Sequence, residues 1–145
     1  HAAPEAVNHL IDKARQVDSR IAKLGTDMRL RNGSLSEMLE MYGKDLQARG
    51  LKAAIFGHAA DKHFHVNILP QNYQQFDEGR ALMEDWARKI SAMGGNITAE
   101  HGVGKIKKNL FRSIPLPDRL KVIRSLKRQL DPNGLWNPGN MLNSD

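Results

Sequence analysis

Three histidines crowd one short stretch of the chain, Gly57-His58-Ala59-Ala60-Asp61-Lys62-His63-Phe64-His65-Val66-Asn67. Imidazole nitrogen is the commonest protein ligand for divalent metals. It is also a frequent general base, because it titrates near pH 6.5. A second cluster, Glu100-His101-Gly102-Val103-Gly104, lies further along. Two imidazoles and one carboxylate form a known catalytic metal set with one position left open. The spacing from His58 to His65 is not a helical metal motif, and a single histidine on a strand is commonly structural or solvated. The residues alone therefore leave a metal site, a solvated polar row and a structural role all open.

The elements that must position these groups can be read from periodicity. Side chains on a strand alternate between faces. A strand from His63 to Leu69 puts His63, His65 and Asn67 on one face and turns Phe64, Val66 and Ile68 toward a core. Lys52 to His58 reads as its partner, joined by a tight link around Ala60-Asp61-Lys62, so that His58 can approach His65 from the side. Before this hairpin, Val7, Leu10, Ile11, Ala14, Val17, Ile21 and Leu24 recur at helical spacing, which predicts a helix from Pro4 to Leu24 stopped by Gly25. A strand over Thr26 to Leu30 and an Asn32-Gly33 turn follow. Ser34-Leu35-Ser36-Glu37 is a capping-box pattern opening a second helix, with Leu35, Met38, Leu39, Tyr42 and Leu46 on one face and Arg49-Gly50 at its end.

Asn72 to Met93 reads as a long helix with Phe76, Met83, Trp86, Ala87 and Ile90 inward. Gly94-Gly95 ends it, and Asn96 to Glu100 reads as a fourth strand. The order β-α-β-β-α-β predicts an α+β fold of ferredoxin-like type, with two helices on one face of an antiparallel sheet. In such a sheet the fourth strand could carry Glu100 toward the histidine hairpin. The rest is irregular and basic. Lys105, Lys107, Lys108 and Arg112 form a run that fits a solvated face or the attraction of an anion. A last helix is predicted from Pro115 to Leu130, with Leu116, Leu120, Ile123, Leu126 and Leu130 on one stripe. The tail from Asp131 to Asn140 is rich in turn residues.

Composition narrows the classes. At 145 residues, 40% apolar and 26% charged, the chain suits one globular domain or part of a larger one. It lacks cysteine, which excludes disulfides and thiolate chemistry and suits a reducing compartment. The expectation is a cytoplasmic protein, peripheral to a membrane at most. No run of apolar residues is long enough to span a bilayer. The net charge of +6 attracts anions, whether nucleic acid, acidic lipid or a carboxylate substrate. Aromatics at 6% and the lack of a recognised binding motif argue against nucleic acid. Gly102 and Gly104 do not make a dinucleotide-binding loop.

Three segments, in order, resemble one known family. GHAADKHFHVNIL is similar to the GHxGDGNxHxN segment of the FAD-linked oxidase C-terminal family, ITAEHGVG to its EHGIG segment, and LKRQLDPNGLWNPGNML to its closing K-x-x-LDPxGxLNPGK. The resemblance runs from about Thr26 to Leu142. The family includes D-lactate, D-2-hydroxyglutarate and glycolate dehydrogenases of the vanillyl-alcohol-oxidase type. It implies that residues 1–145 are the C-terminal substrate and cap part of a flavoenzyme whose FAD-binding domain lies N-terminal to them. It also implies that His58, His65 and Glu100 hold a divalent metal, usually zinc. By the same resemblance His101 is the general base, Asn67 a polar substrate contact, and Asn137 part of a tail that approaches the flavin. The implied reaction oxidises C2 of a small 2-hydroxy acid, with His101 taking the hydroxyl proton and FAD the hydride. An acceptor protein or a quinone would then remove the electrons.

The sequence departs from the family pattern in several places. Ala60 and Lys62 stand where the family has glycine, and His63 where it has asparagine; Lys62 would weaken a metal site if it pointed inward, while His63 could be a further ligand, a substrate contact or neither. Gly25 stands where some members carry a lysine that holds the substrate carboxylate, and Asn140 replaces the final lysine. Apolar surface left uncovered by the missing flavin domain could drive homodimer formation. A stand-alone metal-binding ferredoxin-like module is the alternative that needs no flavin domain, and a basic nucleic-acid-binding domain is the rival from another class.

Overall fold

Alternation along one strand sets the core. In β4 (His63–Ile68), Phe64, Val66 and Ile68 are buried on the face opposite His63, His65 and Asn67. The computed structural model describes residues 2–105, 107–114 and 117–142, which form two compact units, 1–100 and 101–145.

In the first unit β4 is the central strand. On one side it pairs antiparallel with β3 (Ala53–His58), from Ala53↔Ile68 to His58↔His63. On the other side it pairs with β1 (Leu24–Gly25) and β2 (Met28–Arg29). The pairs Leu24↔Ile68, Gly25↔Asn67, Met28↔Phe64 and Arg29↔His63 keep one register, so β1 and β2 are two pieces of one strand interrupted at Thr26 and Asp27. The Thr26 hydroxyl causes the interruption, because it accepts the Val66 N–H at 2.9 Å in place of a backbone carbonyl. Among the described residues, only isolated bridges lie beyond β1 and β2, Asp27↔Thr98 and Arg29↔Asn96. The expected fourth strand is thus reduced to these contacts, although the order across the sheet is the ferredoxin-like one.

Two helices complete the α+β unit. α2 (Leu35–Ala48) starts with the expected capping box at Ser34 and Glu37 and buries Met38, Tyr42 and Leu46. α3 (Tyr73–Ala92), capped by the Asn72 side chain, buries Gly79, Leu82, Trp86, Ala87 and Ile90. Leu82 therefore takes the core place expected of Met83. Gly79 lets α3 sit close on the sheet: a Cβ there would lie 2.8 Å from Leu24 Cδ1 and 3.3 Å from Ile68 Cγ2. Tyr42 and Trp86 meet edge to face at 4.7 Å, and Trp86 Nε1 donates to Asp45 at 2.9 Å.

The first helix, α1 (Ala2–Val17), ends well before the predicted Leu24. The Asp18 carboxylate accepts the Arg20 backbone N–H at 3.0 Å and its guanidinium at 2.6 Å, closing a turn that competes with the helix. Those bonds pull the Asp18 carboxyl down to about 2. Val7, Ile11 and Ile21 are buried as expected, but Val17 is exposed.

The second unit holds α4 (Lys108–Ser113), which the sequence reading leaves irregular, and α5 (Pro117–Leu130). Pro115 and Leu116, assigned to the start of the last helix, lie outside the described residues. Leu126 and Leu130 are exposed rather than core, together with Val122, Leu135 and Trp136. Asp131 organises the closing loop by accepting from Lys127 and from the N–H groups of Leu135 and Trp136, both at 2.9 Å.

Candidate metal centre

The polar face of the first unit gathers the predicted ligands from three segments. β3 ends in His58, β4 contributes His63 and His65, and the stretch after the edge bridges delivers Glu100. Glu100 stands at the centre of the group. Its Oε1 is 3.6 Å from His58 Nε2 and 3.3 Å from His63 Nδ1, and its Oε2 is 3.7 Å from His65 Nε2. His58 lies opposite His63 in the ladder rather than beside His65, and these two rings stack at 5.9 Å. His63 and His65 meet edge to face at 4.6 Å.

Hydrogen bonds orient two of these rings. His65 Nδ1 lies 3.3 Å from the Thr26 carbonyl. A carbonyl can only accept, so this contact places a proton on Nδ1 and turns Nε2 toward Glu100. His63 Nε2 lies 2.8 Å from Asp27 Oδ1. A carboxylate that accepts there places a proton on Nε2 and turns Nδ1 toward Glu100. Asp27 is fully buried and also accepts the Glu100 backbone N–H at 3.2 Å. These partners offset the cost of burying its charge.

The donor set fits a divalent ion. Imidazole nitrogens turned toward carboxylate oxygens at these distances can share a cation between them. Ligands around a tetrahedral ion with bonds of about 2.0–2.1 Å stand roughly 3.3–3.4 Å apart, and the nitrogens here stand 3.3–3.7 Å from the Glu100 oxygens. Among the described residues, Asp27, His63, His65 and Glu100 each offer a ligand atom within 4.8 Å of the others, a group that does not include the predicted ligand His58.

Lys62 does not bring its charge to this group. It adopts a left-handed backbone with φ 49°, and its ammonium donates to the Gly33 carbonyl at 3.1 Å. Asn67 is buried on the site face, two residues from His65 and opposite Gly25. A Cβ on Gly25 would lie 2.8 Å from Asn67 Oδ1, so any side chain there would displace this amide.

His101 follows Glu100 directly in sequence, is exposed, and opens the second unit. Asn137 is exposed in the closing loop of that unit, at a positive φ of 48° that asparagine tolerates.

The sequence reading did not assign a role to Asp27. Its signal was a carboxylate inside a segment read as a strand, where aspartate is disfavoured unless something holds it.

Comparison with known proteins agrees with the resemblance and extends it toward the N-terminus. The family described as "FAD linked oxidases, C-terminal domain" matches residues 14–141. A probable mitochondrial D-lactate dehydrogenase of Danio rerio is 33% identical over 81% of this chain and 24% of its own length. The mitochondrial D-lactate dehydrogenase [cytochrome] of Arabidopsis thaliana is 30% identical over 81% of the chain and 21% of its own length. A D-2-hydroxyglutarate dehydrogenase of Stutzerimonas stutzeri is 35% identical over 58% of the chain and 19% of its length. The chain thus spans about a quarter of the length of the relatives it matches. No helix among the described residues is long and apolar enough to cross a membrane. With the match covering nearly the whole sequence, the chain belongs to the family of FAD-linked oxidase C-terminal domains.

Proposed function

We propose that this chain is the C-terminal, substrate- and metal-binding part of a flavin-dependent dehydrogenase of small D-2-hydroxy acids. The observation that carries the reading is the convergence of His58, His65 and Glu100 on one face of the sheet, in a chain whose relatives are D-lactate and D-2-hydroxyglutarate dehydrogenases.

In this reading His58 Nε2, His65 Nε2 and the Glu100 carboxylate hold a divalent ion, for which the nitrogen-rich set favours zinc. Such an ion supplies Lewis acidity that lowers the pKa of a bound hydroxyl. FAD, held mainly by an N-terminal domain of the whole protein, supplies the hydride acceptor. The protein's own residues handle orientation and the proton. His101 accepts the proton of the 2-hydroxyl group, and Asn67 offers its amide to the substrate from the wall beside His65. Asn137, in the closing loop, would be the residue of this chain that approaches the flavin. The naming of the plant relative for cytochrome supports an electron-acceptor protein for the reduced flavin.

The test uses the full-length protein. Metal content should be stoichiometric in the parent and fall in His58→Ala and Glu100→Ala. His101→Ala should keep the ion and abolish turnover of D-lactate and D-2-hydroxyglutarate. Equal metal in parent and ligand variants, or full turnover by His101→Ala, would overturn the assignment.

A further inference from the structure

The residue that departs from the family's asparagine is the one most firmly held. His63 is almost completely buried, only 3% exposed. Its Nε2 is fixed by the buried Asp27 at 2.8 Å, while its Nδ1 faces Glu100 Oε1 at 3.3 Å, the shortest of the three imidazole contacts to that carboxylate. A carboxylate on one ring nitrogen, with the other nitrogen turned toward the ligand group, is the arrangement by which proteins orient metal-binding histidines.

We infer that His63 Nδ1 is an additional ligand of the ion, held in place by Asp27, so that three imidazoles and one carboxylate surround it. This rests on the reading that His58, His65 and Glu100 form a metal site. Asp27 is a positioning residue here. It fixes the tautomer and plane of His63, and through the Glu100 N–H it also anchors the backbone that carries the shared carboxylate.

Two consequences follow from the donor count. A third imidazole raises the preference for zinc-like ions over hard oxygen-seeking ones such as Mg²⁺ and Mn²⁺. It also fills a position that a two-histidine site leaves open, so substrate binding requires the ion to become five-coordinate or one arm to leave.

The experiment is zinc binding to the full-length protein, by chelator competition and by X-ray absorption at the zinc edge, for the parent, His63→Asn, His63→Gln and Asp27→Asn. The parent should show three imidazole scatterers. His63→Asn and His63→Gln should show two, with zinc affinity about 10–100-fold lower and a smaller preference for zinc over manganese. Asp27→Asn should lower affinity while still showing three. Two imidazoles in parent and variants alike, with affinity unchanged, would overturn the role of His63 and leave the parent site intact. A parent that binds no stoichiometric zinc would overturn both. The count in the parent is informative even where a variant fails to fold.

Discussion

The Thr26 carbonyl is released from the sheet ladder and given to His65. Because the Thr26 hydroxyl accepts the Val66 N–H at 2.9 Å, the carbonyl stands 3.3 Å from His65 Nδ1. One side chain thereby helps to turn Nε2 of a neighbouring ring toward Glu100.

Thr26→Val should undo this arrangement. Without a hydroxyl, the Val66 N–H needs the backbone carbonyl at 26, and His65 loses its acceptor. Zinc affinity should fall by about 10-fold, and Thr26→Ser should restore it. Nitrogen NMR of the imidazoles should show His65 losing its Nδ1–H form in the valine variant. Unchanged affinity and tautomer would show that the Thr26 contact does not orient the ring.

A side chain at Gly57 should disrupt the hairpin. A Cβ at that position would lie 2.2 Å from the His63 carbonyl oxygen and 2.9 Å from Phe64 Cα, both backbone atoms that cannot turn away. Gly57→Ala should cost about 2–3 kcal/mol or more in urea unfolding. It should also weaken zinc binding, because the displaced segment carries His63. A loss below about 0.5 kcal/mol would contradict the close approach.

Acid should loosen the closing loop of the second unit. The Asp131 carboxyl is held below its ordinary value by Lys127, with further help from the N–H groups of Trp136 and Leu135. A group whose folded pKa is depressed stabilises the loop fully above its unfolded value, near pH 4, and loses that effect as pH falls through the folded value. Amide exchange at Leu135 and Trp136, corrected for intrinsic rates, should therefore quicken below about pH 4. Asp131→Asn should remove this acid dependence. A pH-independent profile in the parent would refute the link.

Much of the scaffold was legible because its signals were local. The alternation His63, His65, Asn67 against Phe64, Val66, Ile68 set the orientation of β4, and Ser34 with Glu37 marked the start of α2. The end of α1 was not legible from hydrophobic spacing, since Asp18 closes a competing turn with Arg20 that periodicity does not register. The core role of Leu82 in place of Met83 depends on where Gly79 lets α3 touch Leu24 and Ile68, which is a tertiary contact. The crowding of His58, His63, His65 and Glu100 could be anticipated from strand order. The service of Asp27 to His63 could not, because it depends on one buried hydrogen bond between residues far apart in sequence.

Asp27 gives the site a permanence of its own. It joins β4, through His63, to the backbone at Glu100 by hydrogen bonds between protein groups. The pocket is consequently pre-shaped, unlike small zinc modules that collapse when stripped. If the proposed ion is present, a chelator should empty the site while leaving the sheet standing, and added zinc should refill it without a refolding step.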